Sequence, residues 1–93
     1  MTRAAQARAL VKKGRALFAA GRYQDAAQVL EEAIALDQRN AAAHAALGAA
    51  YAKLRRVAAA AAEYEIFLEL APDHPQAPQV RRYIEEYRAR QGK

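Results

Sequence analysis

The sequence predicts an all-α domain: two antiparallel helix-turn-helix units stacked on one another and closed by a fifth helix. Three observations carry this reading. Matching residues recur at an offset of 34, pairing Gly14 with Gly48, Ala26 with Ala60, Leu30 with Tyr64, Ile34 with Leu68 and Leu36 with Leu70. A period of that length in a helical sequence marks units that cannot bury their apolar faces alone and therefore stack. Ala, the strongest helix former, supplies 27 of the 93 residues, while β-branched residues are few and Gly and Pro fall mainly at element boundaries. Apolar residues also recur at spacings of three and four. The length suffices for one core shared by stacked helices and is too short for a second domain, so residues 1–93 are expected to form one unit.

The first helix is expected over about 4–20, burying Leu10, Leu17 and Phe18. It stops at Gly21, which can take a left-handed conformation without a Cβ penalty. A second helix is expected over about 23–37. The next hairpin runs over about 41–54 and 57–71, with Asn40 suited to cap its first helix. Its turn, Arg55-Arg56, has no glycine and is expected to be tighter or more strained. Ala71-Pro72-Asp73-His74-Pro75 ends the fourth helix, since proline cannot continue one and restricts the residue before it. A fifth helix begins near Pro75 to Pro78. Its Val80, Tyr83, Ile84 and Tyr87 form one apolar stripe, and Arg81, Arg82, Glu85, Glu86 and Arg88 face elsewhere, the pattern of a terminal cap.

Leu47-Gly48-Ala49-Ala50-Tyr51, with Ala60, Tyr64 and Pro72 after it at fixed spacing, resembles the tetratricopeptide repeat. The first unit keeps Gly14, Ala26, Leu30 and Ala33, but has Lys13, Leu17 and Gln38 where the pattern has Leu, Tyr and Pro. The resemblance implies an α-α superhelix, a right-handed solenoid, with repeats over 7–40 and 41–74 and a capping helix over 75–91. Elementary packing explains the same pattern. Gly14, Gly48, Ala26 and Ala60 are small because two helices cross closely there, and Leu30 and Tyr64 are large because they fill the space beside the crossing. Phe67 stands where the family usually has Ala, at the contact with the next element.

Composition removes several kinds of chemistry. There is no Ser or Cys and one Thr, so the usual hydroxyl and thiol nucleophiles are missing, as are disulfides. His44 and His74 stand 30 residues apart, without metal-site spacing. His44 is expected to pack within the second hairpin and His74 to lie in a loop. The four Gly are dispersed and form no phosphate-binding loop. Glu31-Glu32 and Glu85-Glu86 diverge around their helices and read as solvated faces. No enzymatic activity, cofactor or metal is expected. No apolar run is long enough to span a membrane or form a signal segment, so the chain is expected to be soluble and cytoplasmic. Eleven Arg against four Lys, beside abundant Ala, fits a GC-rich or heat-adapted bacterial source.

The net charge of +5 is sorted by helix. The first helix of each hairpin is basic, with Arg3, Arg8, Lys12, Lys13, Arg15 and Arg22, then Lys53, Arg55 and Arg56. The second helices carry Asp25, Glu31, Glu32 and Asp37, then Glu63, Glu65 and Glu69. In the family the first helices line a concave groove, so the resemblance implies a groove more positive than the outer wall. Carried over by position, the groove residues are Arg8, Val11, Arg15, Phe18 and Ala19 from the first repeat and Ala42, Ala45, Ala49, Ala52 and Lys53 from the second. The expected ligand is an acidic or carboxylate-bearing peptide on Arg8, Arg15 and Lys53, with an apolar side chain over Val11 and Phe18. Alternatively, the cations only solubilise the chain, with Arg22, Arg55 and Arg56 favouring helix C-termini. The family's chaperone-tail clamp has Lys and Asn where this chain has Val11 and Arg15, and Asn at Ala46; that pattern is absent.

Two other functions compete with this reading. Self-association into a homo-oligomer is expected if Leu10, Val11, Leu17 and Phe18 leave the first helix uncovered. Nucleic-acid binding is suggested by the basic charge. The groove is expected to lack the Asn, Ser, Thr and Gln that read base edges, so such binding is expected to be weak and unspecific.

Overall fold

A computed structural model, which describes residues 1–92, shows five helices and no strand among those residues. They are α1 (Arg3–Ala19), α2 (Tyr23–Leu36), α3 (Ala41–Lys53), α4 (Val57–Leu70) and α5 (Ala77–Gln91). α1 packs on α2 and α3 on α4. The second hairpin leans on the first through α3, which touches both α2 and α1, and α5 lies along α4. The result is a helical repeat solenoid, 47 × 27 × 20 Å.

Local sequence sets the ends. Thr2 accepts a hydrogen bond from the Ala5 amide and Asn40 Oδ1 accepts one from the Ala43 amide, both at 3.0 Å. Gly21 has φ +80°, ending the first hairpin's turn as its lack of a Cβ allows. Arg55 stands 34 residues later and also takes a left-handed conformation, φ +65°. The turns share one hydrogen-bond scheme: the amides of Gly21 and Arg22 donate to Phe18 and Leu17 carbonyls, and those of Arg55 and Arg56 donate to Ala52 and Tyr51 carbonyls. The second turn is therefore not tighter than the first. It is the same turn with strain at Arg55, because a Cβ crowds the backbone in that region.

The crossings repeat as well. A Cβ added to Gly14 would come within 2.6 Å of Leu30, and one added to Gly48 within 2.7 Å of the Tyr64 ring. Ala26 and Ala60 are fully buried beside them. Around the first crossing, Ala7, Val11, Leu30, Ala33, Ala43 and Leu47 form the main core, with Leu10, Leu17 and Phe18 partly buried against it. Val11, expected in the groove, is thus a core residue, 5 % exposed, while Leu10, Leu17 and Phe18 are half-buried. The large hydrophobic residues that remain exposed are Met1 and Val57.

The 34-residue register continues into α5. Ala77, Val80 and Ile84 stand 34 residues after Ala43, Ala46 and Ala50; all except the half-buried Ala46 are buried, so α5 takes the place of a first helix in a third unit. Phe67 fills the contact, packed against Val80 and Ile84 and edge-on to His74, whose ring is 5.2 Å away in the connecting segment. α5 begins two residues later than strict repetition from α3 places it, after a connection over 71–76 that replaces the shorter one over 37–40. No Cα of α5 comes within 8 Å of α3, whereas α1 and α3 approach that closely. The seam between α3 and α5 is thus open.

Polar groups tie the helices together, one of them buried. His44, 4 % exposed, places Nδ1 2.8 Å from Glu63 Oε1 and Nε2 2.8 Å from the Gln38 carbonyl, joining α3 to α4 and to the connection from α2. Tyr51 of α3 donates to Glu31 of α2. Burial first, then that carboxylate, push the Tyr51 phenol up to about 12. Arg3 donates to the Ala35 and Leu36 carbonyls, where the end of α2 favours a cation.

Candidate functional site

The open seam is a cleft of about 370 Å³. Its floor is α3, where Ala45, Ala46 and Ala49 present only methyl groups. α1 contributes Arg15 and Phe18 to one wall. α5 contributes Gln79, Val80 and Tyr83 to the other, with Gln76 from the connection just before it, and Tyr64 of α4 reaches in from behind. The floor is shallow because alanine at successive turns keeps one face of α3 low. Arg15 is the one charged side chain lining the cleft among the described residues, and no carboxylate lines it.

The aromatic groups are ordered by one another. Tyr64 and Tyr83 meet edge to face with centroids 5.1 Å apart, and Phe18 meets Tyr23 in the same way at 5.1 Å. Burial raises the phenols of Tyr64 and Tyr83 above their ordinary value, so both remain protonated at neutral pH. Tyr83 Oη is buried and has no hydrogen-bond partner among the described residues.

Of the ten residues expected in the groove, Arg15, Phe18, Ala45 and Ala49 line this cleft. Ala42 and Ala52 are half-buried on α3, while Arg8 and Ala19 are exposed on α1. Val11 lies under the surface. Lys53 is exposed at the end of α3 with its ammonium 5.9 Å from the centre of the Tyr23 ring, so it is held by a cation–π contact and does not line the cleft. Arg22 and Arg56 precede α2 and α4 rather than ending helices. Arg22 pairs with Asp25 at 2.6 Å, and the Arg56 guanidinium lies 5.8 Å from the centre of the Tyr51 ring.

Reading α5 as a lid alone misses its contribution to the cleft. Gln76 and Gln79 put amide side chains where the groove was expected to have none. The repetition of Ala43, Ala46 and Ala50 as Ala77, Val80 and Ile84 was the signal that α5 stands in a groove-lining position. On the outer side of α4 and α5 is a second recess of different character, lined by Glu65, Glu69 and Glu85 with Arg81 and Arg88. Both of its arginines are engaged: Arg88 pairs with Glu65 at 2.6 Å and Arg81 donates to the Pro72 carbonyl at 2.7 Å.

Among the described residues no group of three or more His, Cys, Asp or Glu is placed to hold a metal ion, and no helix is long and apolar enough to cross a membrane. No curated protein matches the chain. A family model described as TPR repeat matches residues 14–54, and one described as tetratricopeptide repeat matches residues 41–74. The two matches together span 14–74, and with the repeated crossings, turns and caps they show that the chain belongs to the tetratricopeptide repeat family.

Proposed function

We propose that this chain is a non-enzymatic interaction module that holds a segment of another protein in the cleft between α1, α3 and α5, and that it prefers an acidic segment. Tetratricopeptide repeats are generally protein–protein interaction modules and typically non-enzymatic scaffolds. The observation that carries the finer reading is the cleft itself: an apolar floor and aromatic back, one cation, and no carboxylate among the described residues lining it. Arg8 stands seven residues before Arg15 on α1, two turns away on the same helical face, and extends the positive rim. Ala42 and Ala52 lengthen the floor of Ala45 and Ala49 in the same way. An apolar side chain of the ligand rests on this floor, and a neighbouring carboxylate pairs with Arg15. So few cations are too little for strong binding to a phosphate backbone, whose affinity grows with the number of neutralised phosphates.

The test is an array of short amidated peptides, each with one Glu and one Leu or Phe at varied spacing, and Gln-for-Glu controls. Binding is read by fluorescence anisotropy against the native chain, Arg15→Glu, and Arg82→Glu on the exposed side of α5. The native chain and Arg82→Glu should bind a subset of the Glu peptides, and Arg15→Glu should lose them by tenfold or more. Equal binding by Arg15→Glu, or no binding by the native chain, would contradict the reading.

A further inference from the structure

The cap helix carries a polar group that the fold does not use. Tyr83 Oη is shielded from water and lacks a hydrogen-bond partner among the described residues, although the side chain lines the cleft. A buried hydroxyl without a partner destabilises the free protein, and such groups are rare in folded chains. Packing does not require it. A phenylalanine at this position would make the same edge-to-face contact with Tyr64 and leave no orphan. The cleft is also asymmetric: its cation, Arg15, stands on α1, whereas the wall at α5 offers neutral groups, Gln76, Gln79 and Tyr83.

Resting on the function proposed above, we infer that Tyr83 is a specificity-determining residue whose hydroxyl donates to a backbone carbonyl of the bound segment, while the segment's carboxylate pairs with Arg15 on the opposite wall. The occupant is thus an extended acidic peptide lying across α3, with its main chain against α5. Turning the ring about its own axis leaves Oη in place, so the hydroxyl reaches the cleft by a turn of the side chain about Cα–Cβ, against the edge contact with Tyr64. In the complex the hydroxyl gains the partner it lacks alone. A tyrosine hydroxyl is a donor at neutral pH, and burial only widens that range upward.

Tyr83→Phe separates this role from packing, because its effects on stability and on binding have opposite signs. The free variant should melt at the same temperature as the native chain or higher, since an unpartnered hydroxyl is removed. Its affinity for the Glu peptides of the array should fall about tenfold, with the salt dependence of binding unchanged because the lost bond is neutral. Arg15→Gln, by contrast, should weaken binding and remove most of its salt dependence, because the ion pair is lost without a charge reversal. Tyr87→Phe, a half-buried tyrosine of α5 outside the cleft lining, should bind as the native chain does. Unchanged affinity in Tyr83→Phe while Arg15→Glu loses binding would overturn this inference and leave the proposed function standing. A lower melting temperature for Tyr83→Phe would also overturn it, since the hydroxyl would then have a partner in the free protein. Absence of binding by the native chain would overturn both.

Discussion

The two repeats cross their helices at equivalent positions, yet one crossing is closed and the other faces a cleft. In the first, Leu30 is fully buried against Gly14 and enclosed by the main core. In the second, Tyr64 occupies the same position against Gly48 but is only half-buried, and its ring lines the seam left open by α5. One period of sequence thus yields a structural joint and a candidate binding joint. The difference arises from the helix that comes after each unit. α3 packs closely on both helices of the unit before it, whereas α5, starting later after a longer connection, packs closely on α4, and α3 meets their shared cluster only through Ala41 and Ala45.

The largest expected effect tests what the two crossings share. Ala26→Leu and Ala60→Leu should each overpack a fully buried site and cost about 1–3 kcal/mol in urea unfolding. If Ala60→Leu cost nothing, the second crossing would not be equivalent to the first. The two crossing glycines discriminate more finely. Gly14→Ala drives a methyl into Leu30, which has nowhere to move, so about 1–3 kcal/mol of overpacking should outweigh the gain of about 1 kcal/mol from replacing a helical glycine. In Gly48→Ala the obstructed group is the Tyr64 ring, which can yield toward the cleft. That variant should stay near native stability and lose peptide binding instead. Equal destabilisation of both would remove the distinction between a closed and an open crossing.

The turns give the next effect. Arg55→Gly should stabilise the chain by about 1 kcal/mol by relieving left-handed strain, and Gly21→Ala should cost about as much, although no atom would meet the added methyl within 4 Å. The smallest effect concerns the bond between repeats. The folded state raises the Tyr51 phenol to about 12, so the stabilisation by its protonated form is complete below pH 10 and is lost as pH rises through 12. Tyr51→Phe should therefore be less stable than the native chain by about 0.5–1.5 kcal/mol at neutral pH, with the difference shrinking as pH rises above 10 and reversing near pH 12 in base-unfolding curves. A constant difference across that range would mean that the bond to Glu31 does not contribute.

The sequence was legible where one residue's size or backbone freedom decides the geometry. Gly14 and Gly48 with their bulky partners, Gly21 and Asn40 all stand as the 34-residue register and capping chemistry expect. Arg55 was harder to read because an arginine carries no preference for the left-handed region; only its offset of 34 from Gly21 marked it. Val11 was assigned to the groove by position in the family, while its own stripe with Ala7 and Gly14, at spacings of four and three, pointed to the core that buries all three. Lys53 and the cleft wall on α5 depend on where helix ends and the 71–76 connection place side chains. No local pattern encodes that placement. The orphaned hydroxyl of Tyr83 is a property of packing on all sides of the ring and was invisible in a stripe of apolar positions.

The most direct test of the claim that the open second joint binds a ligand is amide chemical-shift mapping of the native chain titrated with the tightest Glu peptide of the array. Shifts concentrated at Arg15, Ala45, Ala49, Gln79 and Tyr83 are the predicted result. Shifts centred on Leu68, Arg81 and Glu85 of the outer recess, with the cleft residues unmoved, would contradict it.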